Sequence, residues 1–232
     1  MIPARRRLTW PRQAWLIAKK DVAIELATGE IVTTSGFFAV LTAVIASLSF
    51  FAGRDSKRDV APGVLWVSVA FASVLALSRT WQRERDEGAI RGLLVSPIAR
   101  SAIFAGKAAT VALFVFAVEL IVLPFTALFF GIELTKSGPA VILLLGAAVP
   151  GVAASGTLFG AMTIRTRARD LVLASVMLPL LSPSLLAGVA GTRAILSGAG
   201  FSELGDYFAL VGLFDFIFIA GGLGLFELVL EG

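Results

Sequence analysis

The 232-residue chain has no cysteine and no histidine. Disulfides are therefore excluded, and redox compartment cannot be read from thiol usage. Zinc held by thiolate or imidazole, a cysteine-held iron–sulfur cluster and histidine-ligated haem are excluded within the chain. Histidine-dependent acid–base and nucleophilic catalysis go with them. Charge is scarce as well: 16% of residues are Asp, Glu, Lys or Arg, against 57% apolar. Such a composition cannot clothe a soluble domain, so the chain reads as an integral membrane protein. The formal excess of +4 does not point to nucleic acid, because a membrane chain often keeps its basic residues on one side. The opening "MIPARRRLTWPRQAWLIAKK" is basic, but no compact apolar core with a small-residue cleavage site follows. It does not read as a cleaved signal peptide.

What is present is apolar length. A spanning helix needs about 20 apolar residues, and six segments supply or approach this: 31–52, 61–77, 103–130, 139–164, 171–191 and 207–230. Lys and Arg crowd the N-terminal segment, the connection between spans two and three, and Arg165, Arg167 and Arg169. The alternate connections hold only Arg54, Lys57, Arg58, Lys136 and Arg193. The positive-inside rule then places both termini in the cytoplasm. Residues 10–30 are no span. Ala14, Trp15, Ala18, Val22 and Leu26 recur at helical spacing, which predicts an amphipathic helix in contact with membrane lipid, either a simple anchor or a partner-docking element.

Several features could carry chemistry. "SAIFAGKAA" (101–109) falls short of a phosphate loop: Ser101 replaces the first glycine and Ala108 the magnesium-binding hydroxyl. Glu119 lies mid-span with Pro124 five residues on, and Asp215 lies inside the sixth span. A carboxylate at such depth should face the bundle and find a partner, as a structural hydrogen bond or as a substrate-path residue. Gly156 and Gly160, extended by Gly151 and Ser155, form a small-residue stripe for close helix packing, within the chain or at a dimer seam. Pro179 and Pro183 predict a broken or re-entrant fifth span. Met162, Met177 and Tyr207 are the remaining haem-ligand types, each more simply read as packing.

The densest charge lies in "RERDEGAIRGLLVSP" (83–97). As a helix it places Ile90, Leu93 and Leu94 on one face, surrounds them with both signs, and stops at Pro97. Mixed signs suit a protein groove better than an anionic lipid surface. A solvated loop that only fixes topology is the simpler alternative.

The run Arg83, Glu84, Arg85, Gly88, Ile90, Leu93, Leu94, Pro97, Arg100, Gly106, Lys107 resembles the ABC-2 class of transporter permeases. More narrowly, "KKDVAIEL", "APGVLWV", "RSAIFAGK", "VELIVLP", "GTLFGAMTIRTRARDLVL", "LLSPSLLAG" and "LFDFIF" followed by "LFELVLE" resemble the CcmB family, permease subunits of cytochrome c maturation. The resemblance covers nearly every element from Lys19 onward. It implies an all-α, single-domain permease with six transmembrane helices, an N-terminal interfacial helix (10–30) and a short cytoplasmic coupling segment (79–101). It implies a bacterial inner-membrane location and a separate ABC ATPase, the A subunit, which hydrolyses ATP that this non-catalytic chain does not. Further implied partners are a haem-handling membrane protein and a haem chaperone; the small-residue stripe separately leaves a second copy of the chain open as a partner. Glu84, Arg85, Gly88, Leu93, Leu94 and Pro97, with Arg83 and Glu87 beside them, would meet the ATPase, and Arg165, Arg167 and Arg169 would form a lesser contact. One departure is Arg91, where related permeases usually carry an acid. Haem is implied as cargo, with no cofactor bound by this chain alone. Two other readings remain open from the residues: an ABC-2 exporter of another cargo, and a proton-coupled transporter using Glu119.

Overall fold

The computed structural model describes residues 8–49, 54–86, 92, 95–163 and 169–231, and among them every regular element is helical. Helix α1 (Trp10–Thr28) carries Pro11 in its first turn, where a missing N–H removes no helical bond. It ends at Gly29, whose φ of +63° turns the chain into α2 (Glu30–Ser49). Then follow α3 (Arg54–Asp86), α4 (Arg100–Phe130), α5 (Leu134–Thr163) and α6 (Arg169–Leu196). A 3-10 turn (Phe201–Leu204) leads into α7 (Gly205–Glu231). Six helices, α2 to α7, are long and apolar enough to cross a membrane. We call the end of the bundle where α1, the close of α3 and the start of α4 meet the basal end.

The corner between α1 and α2 is pinned by a buried acid. Glu25 accepts the Gly29 N–H through its backbone carbonyl (2.6 Å) and the Val32 N–H through Oε1 (2.9 Å). It thus satisfies a donor that the first turn of α2 leaves without a helical partner.

Helix α3 runs well beyond the expected span, because charged residues at both ends extend it without interrupting it. Its membrane portion, Asp59–Gln82, is largely buried among the other helices. Trp66 sits fully buried in the notch of Gly188 and donates its indole N–H to Thr192 Oγ1 (2.9 Å). Around it Leu65, Val118, Val122, Leu144 and Leu145 form the main core. Outward-facing Phe37, Leu128 and Phe216 are 69–75% exposed, as lipid-facing side chains should be.

The fifth span is not broken. Helix α6 continues through both Pro179 and Pro183. Pro183 has no N–H to give the carbonyl four residues earlier, which belongs to Pro179. The Ser182 hydroxyl donates to that carbonyl instead, at 2.6 Å. A side-chain donor therefore repairs the ladder, and the backbone need not open.

Helix α1 also has an inward face that the apolar stripe did not single out. Ile17, Asp21 and Glu25 are turned inward, while Trp15 and Leu26 point out. The acids face the bundle because it holds partners for them.

At the far end, a cavity of about 630 Å³ opens between the start of α5 and the close of α6, lined by Asp59, Lys136, Arg193 and Phe201 among others. The Arg193 guanidinium donates to the Asp59 carbonyl across it (3.3 Å).

Candidate functional site: a buried ion joint at the basal end

The site begins with Gly106. A Cβ there would lie 2.6 Å from the Ala14 carbonyl oxygen and 2.8 Å from Ile17 Cβ. Helix α1 therefore crosses α4 backbone to backbone, and only glycine permits it. One residue on, Lys107 is 1% exposed. Its ammonium lies between two carboxylates, bonding Asp21 Oδ2 at 2.7 Å and Glu84 Oε1. Lys20 closes the group, reaching Glu84 Oε1 at 2.6 Å and Asp21 Oδ1 at 3.1 Å. Two acids and two bases from α1, α3 and α4 thus balance in one cluster, buried except at Lys20. Isolated, either carboxylate would be costly to keep charged at that burial.

Neighbouring helices brace the joint. The Lys107 ammonium lies 5.9 Å from the Trp81 ring centroid, and Trp81 fills the notch of Gly160 on α5. Leu77, one turn earlier on α3, fills the notch of Gly156. Phe104 occupies the notch of Gly222 on α7 and packs against Phe226, centroids 5.3 Å apart. Around the start of α4, Gln13 Oε1 accepts the Ala99 N–H (2.8 Å) and Trp10 donates to Ser101 Oγ (2.9 Å). Five helices therefore meet at the joint.

Its electrostatics define a pH window. Burial works against a charged Glu84, but the Lys107 and Lys20 ammonium groups outweigh it and hold its carboxyl below the ordinary 4.5. Burial likewise opposes charge on Lys20, and Glu84 and Asp21 raise it above the ordinary 10.5 all the same. The Glu84 contribution is complete above about pH 4.5 and is lost as pH falls through its lowered folded value. The Lys20 contribution is complete below about pH 10.5 and is lost as pH rises through its raised folded value. Thermal unfolding in detergent should be flat in pH between these limits as far as the joint is concerned. Glu84→Gln should lose the acid limb, and an unchanged acid limb would show that the limb arises elsewhere.

The residues singled out from sequence divide clearly. Glu84 is buried and paired inward, not displayed on an outer face. Pro97 is exposed, as are Gly92 and Val95. Arg83 and Arg85 lie on α3 and Arg169 opens α6, with their side chains outside the described residues. Glu87, Gly88, Arg91, Leu93, Leu94, Arg165 and Arg167 lie outside the described residues altogether. The glycine stripe is consumed within the chain: Gly151 abuts Asp215 and Phe214 of α7, while Gly156 and Gly160 receive α3. Ser155 is buried and bonds its own helix, donating to the Val152 carbonyl (3.0 Å). Asp215 Oδ1 accepts the Gly151 N–H (2.8 Å). Glu119 is buried with Oε2 unpartnered, and no cation among the described residues lies within ion-pair reach. Met177 is sealed in the core. Sequence reasoning gave no role to Lys20, Asp21 or Lys107. The signal available was an acid on the inward stripe of α1 and a lysine opening an apolar span.

Three relatives cover most of this chain at modest identity. Heme exporter protein B of Paracoccus denitrificans is 29% identical over 81% of this chain and 84% of its own length. The protein of the same name from Bradyrhizobium diazoefficiens is 26% identical over 78% and 82%. That from Pseudomonas aeruginosa is 25% identical over 79% and 81%. The family model described as "CcmB protein" matches residues 12–220, which takes in the joint, the first five apolar helices and more than half of the sixth. The chain belongs to the CcmB protein family.

Proposed function

We propose that this chain is the membrane subunit of an ABC-type haem exporter serving cytochrome c maturation, and that the ion joint couples it to a separate ATPase. The supporting observation is the bond between Glu84 and Lys107. These residues bracket the charged block, one near the close of α3 and the other near the start of α4. Force applied to the block by a partner therefore enters a closed, buried bracket instead of two loose ends. In this reading Glu84 is a positioning residue, and Glu87, Gly88, Leu93, Leu94 and Pro97 form the surface that meets the ATPase. Arg165, Arg167 and Arg169 add a second contact. The basal end then faces the cytoplasm of a bacterium, with both termini there, and the membrane is the inner one.

The chain itself hydrolyses nothing in this reading. Haem is cargo. With no histidine or cysteine, and with Met177 enclosed by packing, the chain holds haem by apolar contact, or passes ATP-driven motion to a haem-handling membrane protein and a haem chaperone. A second copy of the chain completes the transporter.

Charge reversal at Glu87 tests the docking surface without touching the joint. Glu87→Lys should leave the chain folded and inserted while lowering ATPase co-purification or stimulation at least tenfold. A variant that retains its ATPase in full would remove the block from the interface. The proton-coupled reading predicts instead that transport depends on Glu119 and continues without any ATPase.

A further inference from the structure

At the seam between α5 and α7 a carboxylate stands inside the membrane with one oxygen unanswered among the described residues. Pro150 interrupts the α5 ladder and has no N–H to give the Gly146 carbonyl, four residues earlier. Its neighbour Gly151 spends its N–H on Asp215 Oδ1 (2.8 Å). The other Asp215 oxygen has no hydrogen-bond partner among the described residues, Asp215 is partly exposed, and Pro150 is exposed. Asp215 stands ten residues into α7, about 15 Å along its axis and so inside the hydrocarbon. Water is absent at that depth, and an unanswered acceptor there is costly.

The adjoining face of α7 is shaped for a close neighbour. Only 17% of the apolar window of this helix is buried within the chain, the smallest share of the six. Gly212, one turn before Asp215, has nothing within 4 Å of where its Cβ would be. Gly151, Gly156, Gly160, Gly188 and Gly222 differ in this respect, since each is filled from inside the chain. Small residues in a membrane helix serve close approach of another backbone, and at Gly212 that backbone is not this chain's own.

We infer that the α5–α7 seam around Asp215 and Gly212 docks a transmembrane helix of a different membrane protein, one that presents a hydrogen-bond donor (an amide, indole or basic side chain) at that depth. Charge complementarity selects this occupant over a second copy. Copies in one membrane share an orientation, so a twofold axis along the membrane normal brings residues together at equal depth. With the Asp215–Gly212 face centred on that axis, Asp215 would meet Asp215, acceptor against acceptor. A lipid tail offers no donor at all.

The absence of native cysteine makes the test direct. Phe216→Cys places one thiol on the seam, and Leu128→Cys places one on the 75% exposed face of α4. Each full-length chain is expressed in its native membrane and labelled with benzophenone maleimide before irradiation. At position 216 the expected product is an adduct with another membrane protein, at least tenfold above that at 128. Its cross-linked peptide should be a membrane-spanning segment bearing such a donor. Asp215→Asn in the Phe216→Cys background keeps an oxygen for the Gly151 N–H but turns an NH2 group outward, and should reduce the adduct at least fivefold. If Asp215→Asn does not accumulate, Gly212→Ile closes the notch and should give the same reduction. A product of twice the chain's own mass, labelling of lipid alone, or an adduct indifferent to these substitutions would each overturn the inference.

Discussion

Lys107→Met should destabilise the folded chain by about 3–5 kcal/mol, the usual consequence of removing one partner from a buried ion group. The substitution keeps side-chain length and apolar stem but leaves Glu84 and Asp21 buried with only Lys20, which is 42% exposed, to balance them. Glu84→Gln and Asp21→Asn combined with Lys107→Met should recover much of the loss, because no unpaired buried carboxylate then remains and the one charge left, on Lys20, is 42% exposed. Denaturant titration of the purified chain in detergent, followed by helical signal, reads both effects. A Lys107→Met protein as stable as the parent would show that the joint is solvated and contributes little. Recovery in the triple variant without recovery of ATPase coupling would separate the electrostatics of folding from a mechanical role.

Gly106→Val should have an effect of similar size for a different reason. The added carbons meet the Ala14 carbonyl and Ile17, and a backbone atom cannot rotate aside as a side chain can. Overpacking typically costs about 1–3 kcal/mol, and here α1 must lift away from α4 to relieve it. Lifting α1 withdraws Asp21 from Lys107, so the second substitution removes what the first has already broken. Gly106→Val and Lys107→Met together should therefore destabilise by clearly less than the sum of the singles, as expected for residues in one network. Strict additivity in a double-mutant cycle would mean that the crossing and the ion group are independent.

The six spans were legible because apolar length is a local property, and the observed helices hold those segments with their ends displaced by a few residues, apart from 50–52 and 164, which lie outside the described residues. Helix α3 was read too short because its charged termini count against a span, although charge does not stop a helix. The prolines of α6 misled for a comparable reason: their cost is local, but its relief by Ser182 is a matter of side-chain geometry. In the site, the glycine–lysine pair at 106 and 107 was visible as part of a motif, yet its purpose was not. Lys107 acquires meaning only beside Asp21 and Glu84, more than 80 and more than 20 positions away in sequence. The helical spacing of α1 singled out Ala14, Trp15, Ala18, Val22 and Leu26 and gave no place to Asp21 and Glu25. The protein turns them inward because a lysine and an open helix end await them there.

Helix α3 has a further consequence. Thirty-three residues at 1.5 Å each make a rod of about 50 Å, against a hydrocarbon layer of about 30 Å. One end of it, at Asp59, forms a wall of the far cavity, and the other, at Glu84, is bolted into the joint. Trp66, wedged against Gly188 between them, sits where a fulcrum would be placed, nearer the cavity than the joint. With the pivot there, the basal arm is the longer one. A swing at the charged end would arrive at the cavity wall reduced in travel and increased in force.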